Sequence, residues 1–252
     1  MMSSTKTVLI TGAAKRLGRH IALDLAQNGW DIALHYHSSH ADALQTAQTI
    51  QDLGRRCELF SVDLDKEQAG AELMAQVQQK FGPIQALINN AARFEYDHAA
   101  NFSAACLQQH LGANLMAPLQ LIQALGAQKP QKTPMVAINL LDQKLWSYNP
   151  DFFSYTLCKA ALRAATTMMA QALAPHVRVV GIAPGLTLPS HLQSAEDFER
   201  THKISPLGHG STAADICRTV QYVLETNSIT GSCIVVDAGQ HLLGLQQDFS
   251  LL

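Results

Sequence analysis

The sequence predicts an α/β protein: one domain, residues 1–252, on a doubly wound, parallel, seven-stranded sheet with helices on both faces. Three observations predict it. Seven apolar runs recur along the chain: "TVLITG", "DIALHY", "CELFSVD", "IQALINN", "PMVAINLL", "VRVVGIAP" and "GSCIVVDAG". They are nearly continuous in Val, Ile and Leu, the pattern of strands covered on both faces. Between them lie segments such as "AKRLGRHIALDLAQNG" and "ADALQTAQTIQDLG", with apolar residues spaced near 3.6 and a terminal glycine. Strand–helix alternation of this kind builds a parallel sheet. It runs unbroken, so no domain boundary is expected. The one departure is "GLTLPSHLQSAEDFERTHKISPLGHG", residues 185–210. It follows a strand and is expected to be a substrate loop, because ligands of such sheets bind beyond the strands' carboxyl ends.

Composition narrows the function. Apolar residues make up 47% of the chain and charged residues 15%, enough for a large core and too apolar for disorder. A net charge of −2 gives no footprint for nucleic acid or a membrane surface. No apolar stretch has the length of a membrane span. The eleven histidines are scattered, so no metal site is expected. Five cysteines, an odd number without a CxxC pair, suit a reducing compartment, the cytoplasm.

The first strand leads through Gly12 into a helix carrying Gly18, in "VLITGAAKRLGRHIA". Gly12 permits a tight turn, Gly18 permits close helix–sheet packing, and the helix N-terminus favours a phosphate. This is the layout of a Rossmann dinucleotide site. The second strand ends in "LHYHSSH", without the acid that holds an NAD ribose. His35, His37, Ser38 and Ser39 can donate to a 2′-phosphate there, with Arg16 from the first turn, so NADPH is the expected cofactor. Asp63 ends the third strand and either bonds the adenine or caps the following helix.

Tyr155 and Lys159 stand four apart, on one face of a helix. A neighbouring ammonium is expected to lower the tyrosine pKa and fit it for general acid catalysis on a carbonyl or imine. Asp142 lies thirteen positions earlier, at the end of an apolar strand.

These motifs resemble the short-chain dehydrogenase/reductases from about Thr7 to Leu242. The matching elements are "TGAAKRLG", "NNAA" at Asn89 to Ala92, Asn114 in "GANLMAP", "YTLCK", "APG" at Ala183 to Gly185 and "VDAG". The resemblance implies that Tyr155 donates the proton, that Lys159 also binds the nicotinamide ribose, and that Asn114 holds a water chain to the lysine. It further implies cofactor contacts at Leu17, Tyr36, Leu64, Asn90, Ala91, Ala92, Pro184, Gly185 and Thr187.

The typical member has serine where this chain has Asp142. The pteridine reductase branch carries Asp there, and Arg16, "LHYHSS" and Phe94 are similar to that branch as well. The implied substrate is a pterin or folate, contacted by Arg16, Phe94, Asp142, Tyr155 and Leu186, with Phe94 stacking on the flat ring. A carboxyl group suits a pterin, whose ring nitrogens and amino group are donors. Ala92 and Ser38 depart from the branch, which often has a hydroxyl residue and an arginine there. The aromatics Trp146, Tyr148, Phe152 and Phe153 either line a flat-ligand pocket or pack in the core or between subunits. The resemblance implies a homotetramer, with the apolar C-terminus "LLGLQQDFSLL" at an interface. Two other readings compete: a reductase of sugars or 3-oxoacyl chains, and a non-catalytic dinucleotide-binding subunit. Asp142 and Phe94 argue against the first, and an intact Asn114, Tyr155 and Lys159 against the second.

Overall fold

The computed structural model of the chain describes residues 6–190 and 193–252. All seven apolar runs form strands: β1 (Lys6–Ile10), β2 (Trp30–Tyr36), β3 (Cys57–Ser61), β4 (Ala86–Asn89), β5 (Met135–Leu140), β6 (Val177–Pro184) and β7 (Cys233–Val236). They pair in parallel throughout, in the order β3-β2-β1-β4-β5-β6-β7.

Side chains alternate across each strand, and both faces are covered. Val8 and Ile10 of β1 point to one face and pack with α1 (Arg16–Gln27), α2 (His40–Asp52) and α8 (Ala213–Glu225). Leu9 points to the other and packs with α3 (Ala69–Phe81), α5 (Ala117–Gly126) and α6 (Phe153–Leu173). The central strands β4 and β5 are buried throughout, the edge strands β3 and β7 only in part, and a fully buried Ile or Leu contributes about 1.5–3 kcal/mol. α4 (Ala104–Leu111) runs into α5 through a π turn, Gly112–Met116.

The order reverses between β1 and β4, which leaves a crevice at the carboxyl ends of the strands, where such sheets bind ligands. Two glycines make room there. Gly12 has φ +64, and a Cβ on it would stand 3.0 Å from Ala91 Cα. A methyl on Gly18 would collide with the Gly12 carbonyl.

The 185–210 segment is more than a loop. It contains α7 (Ala195–His202), and Gln193 ties it to Thr201 and to the Phe249 carbonyl. Residues 191 and 192 lie outside the described residues, as do residues 1–5.

Candidate active site

A cleft of about 780 Å³ opens over the strand ends. Most of the residues singled out in the sequence line it, from Gly12, Arg16, Leu17 and Gly18 through Asp63, Leu64 and Asn90 to Ala92, and on to Phe94, Asp142, Tyr155, Lys159 and Pro184 to Thr187.

At its nucleotide end, the first turn of α1 carries no acidic residue and no side-chain cap. Its amides are left for an anion. Thr11 Oγ1 accepts from the amides of Asn90 and Ala91, and Asn90 Nδ2 donates back to the Thr11 and Gly12 carbonyls. The β1 and β4 turns are thus locked together. Arg16 stands in left-handed backbone (φ 54), and its guanidinium donates to the Pro189 carbonyl at 2.8 Å. A left-handed non-glycine residue costs about 1–2 kcal/mol, so Arg16 occupies a position where glycine would be easier.

His35 corrects one expectation. It is 1% exposed, accepts from the Gly12 amide at Nδ1 (3.1 Å) and donates from Nε2 to the Val62 carbonyl (3.0 Å). Both nitrogens are taken, so it cannot donate to a 2′-phosphate; it holds the glycine turn instead. Burial pushes its pKa down to about 4 from 6.5. The unfolded chain therefore binds the extra proton between these values. The resulting stability, about 3 kcal/mol, is present above pH 6.5 and is lost as pH falls toward 4. Urea unfolding across pH 4–7.5 is expected to show this slope, flattened in His35→Gln; an equal slope in both would refute it.

His35 still lines the cleft, whereas Tyr36 does not and has its hydroxyl 2.6 Å from His40 Nδ1. His37 is exposed at the rim, 3.9 Å from Asp63. Ser38 and Ser39 sit beside it at the start of α2 and do not line the cleft. Asp63 does not cap a helix: α3 begins at Ala69, and the carboxylate accepts from the Asp65 amide at 3.1 Å.

At the other end, Tyr155 Oη donates to Asp142 Oδ2 at 2.9 Å. Asp142 Oδ1 accepts from the Lys144 amide at 2.8 Å, so the acid caps the 3-10 turn Gln143–Trp146 as well as facing the tyrosine. Lys159 Nζ donates to the Leu140 carbonyl at 2.6 Å and lies 5.7 Å from the centre of the Tyr155 ring.

The expectation of a lowered tyrosine pKa is overturned. Burial and the adjacent Asp142 push Tyr155 well above the usual range. Burial also raises Asp142, and it lowers Lys159 to about 8 against the pull of Asp142. The hydroxyl thus keeps its proton, and the carboxyl is disposed to hold one.

Asn114 is fully buried in the π turn, outside the cleft, where its amide bonds both the N–H and the carbonyl of Arg93. Phe94 lines the cleft, stacked at 4.1 Å on Phe152 and edge-on to Tyr155 at 4.8 Å. The aromatics of the "WSYNPDFF" stretch do not line it: Phe152 is fully buried, Phe153 packs on Phe102, Trp146 packs on Arg163, and Tyr148 is exposed.

Several residues escaped sequence reasoning. Asp97 accepts from the Ser154 amide and so caps α6, placing Tyr155. Gln143 lines the cleft with its Oε1 buried and without a partner. Asp248, Phe249 and Ser250 line it too, a contact that the apolar pattern of the C-terminus did not signal. Phe249 is buried against its own chain, and the Asp248 amide donates to Asp151.

A helix N-terminus prepared for an anion and a proton-holding Asp–Tyr–Lys group in one cleft describe an oxidoreductase working on a bound dinucleotide. The family model described as "Enoyl-(Acyl carrier protein) reductase" matches residues 12–241, and the chain belongs to the short-chain dehydrogenase/reductase family. Among solved structures, FolM alternative dihydrofolate reductase 1 from Brucella canis, complexed with NADP, is similar with a TM-score of 0.90 and 39% identity, covering 96% of each chain. Pteridine reductase 1 of Leishmania tarentolae is 27% identical over 93% of this chain and 96% of its own length. A 3-oxoacyl-[acyl-carrier-protein] reductase FabG of Staphylococcus epidermidis is 26% identical over 94% and 99%.

Proposed function

We propose that this protein uses NADPH to reduce a C=N bond of a pterin or folate, with Asp142 and Tyr155 supplying the proton. The observation that carries this reading is the 2.9 Å contact between the Tyr155 hydroxyl and the Asp142 carboxyl. Serine, the usual family residue in that place, would provide only a hydroxyl.

NADPH, when bound, would supply the hydride that the ring carbon takes up. The chain does the rest. The amides of α1 and the glycine turn would receive the pyrophosphate, Arg16 and His37 would hold the 2′-phosphate with Ser38 and Ser39 beside them, and Lys159 would bind the nicotinamide ribose. Phe94 offers a flat face for the ring. When Asp142 is protonated it donates to Tyr155 Oη, and the phenolic proton is free to pass to the ring nitrogen. One hydride and one proton convert C=N to CH–NH. The NADP-bound Brucella structure and the Leishmania pteridine reductase support both cofactor and substrate. The FabG relatives support a carbonyl substrate instead.

Five free cysteines favour a reducing, cytoplasmic setting. Exposed Met116, Leu157 and Met168 on the α5–α6 side favour the homotetramer.

The purified protein, given NADPH and in turn 7,8-dihydrobiopterin, dihydrofolate and a 3-oxoacyl ester, is expected to oxidise NADPH with a dihydropterin or dihydrofolate. Oxidation with the ester alone would replace this reading by the carbonyl one. Equal rates with NADH would remove the 2′-phosphate assignment.

A further inference from the structure

The C-terminal segment reaches the catalytic cleft through one lysine. Lys144 follows two positions after Asp142 and is 2% exposed. Its Nζ donates to the Asp151 carbonyl and to Asp248 Oδ2, the latter at 3.2 Å. The Asp248 amide donates to Asp151 Oδ2 at 2.9 Å, while Asp248 Oδ1 accepts from the amide (3.0 Å) and hydroxyl (2.7 Å) of Ser250. Lys144 therefore ties the 3-10 turn to Asp248–Ser250, which line the cleft beside Asp142 and Tyr155. The amide of the same lysine donates to Asp142.

Stability is a weak reason for this arrangement. Burying an ammonium and a carboxylate carries a desolvation penalty that their attraction offsets only in part, and apolar residues of similar volume often serve as well or better. Lys144 Nζ lies 5.5 Å from the centre of the fully buried Phe152 ring, surroundings that an apolar side chain would also suit. A charged pair kept at that site has another use.

We infer that Lys144 and Asp248 form a positioning latch, which holds the C-terminal segment as a wall of the substrate cleft and brings one charge of each sign to bear on Asp142. The ionisable groups around Asp142 are Tyr155 and Lys159 from α6, Lys144 from its own turn, and Asp248 from the C-terminal segment, with Asp151 behind Lys144. Asp248 strengthens the hold of Asp142 and Tyr155 on their protons, and Lys144 weakens that of Asp142. The latch thus governs how far pH can rise before the acid couple ionises. Its bearing on turnover rests on the proposed role of Asp142 as proton donor; its geometry does not.

The test follows the protonated-carboxyl infrared band of Asp142 against pH in the full chain, assigned by its loss in Asp142→Asn. Asp248→Asn removes the negative charge and is expected to move the midpoint down by about one pH unit; Lys144→Met is expected to move it up by a similar amount. The alkaline limb of kcat is expected to follow in the same directions. Loosened packing alone would not drive the two variants oppositely. Movement in one common direction, or none, overturns the latch. Should Lys144→Met fail to fold, Asp248→Asn decides: a lower midpoint supports the latch, and an unchanged or higher one overturns it. The band titrates without substrate, so a failed pterin reading shows as absent NADPH oxidation with shifted midpoints. A failed latch shows as unshifted midpoints in an enzyme that still turns over.

Discussion

Tyr155→Phe is expected to lower kcat by about 10²–10⁴-fold, the usual contribution of a positioned general acid, while NADPH binding stays intact. The variant keeps the ring and therefore its edge-on contact with Phe94 and its place beside Lys159. It loses only the hydroxyl that donates to Asp142. Leaving Asp142 Oδ2 without a donor, while Oδ1 keeps the Lys144 amide, costs about 1–3 kcal/mol of stability, which a single-domain core of this size can absorb. Stopped-flow single turnover separates the steps: cofactor fluorescence should report normal binding, and hydride transfer should be slow. A variant with near-normal turnover would move the proton-donor role to Asp142 alone.

The expected pH dependence follows from the raised pKa values. On the proposed mechanism the acid form is the active one, so kcat is expected to decline as pH rises through the pKa of the Asp142–Tyr155 couple and to hold below that point. Lys159, at about 8, adds a second limit on the alkaline side, because its ammonium is lost there. A lowered tyrosine pKa, which the Tyr155–Lys159 spacing alone suggests, would have placed a phenolate in the site near neutrality.

What the sequence could and could not reveal divides by range. Strands β1 to β7 were legible because each is a local apolar run, and their parallel order followed from the alternation. The glycine turn and the Tyr155–Lys159 pair were legible because each is confined to a few residues. The features that aim the site are long-range. Asp97 caps α6 across 57 positions, and Lys144 meets Asp248 across 104. No periodicity records such a contact. His35 shows the limit within a motif: its place at the end of β2 suggests a phosphate donor, but only the fold reveals that Gly12 and Val62 occupy its ring. Lys144 did leave a trace, as a lone cation in the apolar stretch "LLDQKLW". A buried charge of that kind calls for a distant partner.

Asp142→Ser is expected to cut pterin reduction by about 10²-fold and to do less harm to any ketone activity. Serine can keep one of the two contacts of Asp142, either the Lys144 amide or the Tyr155 hydroxyl, since one hydroxyl replaces two carboxyl oxygens. It also removes the charge that raises Tyr155, so the alkaline limb of kcat should fall to lower pH. Asp142→Asn separates shape from proton supply: it keeps two polar atoms in place but cannot relay a proton to Tyr155. Burial raises the Asp142 pKa, so the stability tied to its proton is full at low pH and is lost as pH rises through the folded-state value. Above that value the ionised acid is a burden on the fold, which asparagine lacks. Asp142→Asn should therefore melt higher than the parent protein at alkaline pH while losing pterin turnover. Lower stability in Asp142→Asn at every pH would make the acid a structural cap of the 3-10 turn. Unchanged pterin turnover in Asp142→Ser would remove Asp142 from the chemistry and leave the carbonyl reading the stronger one.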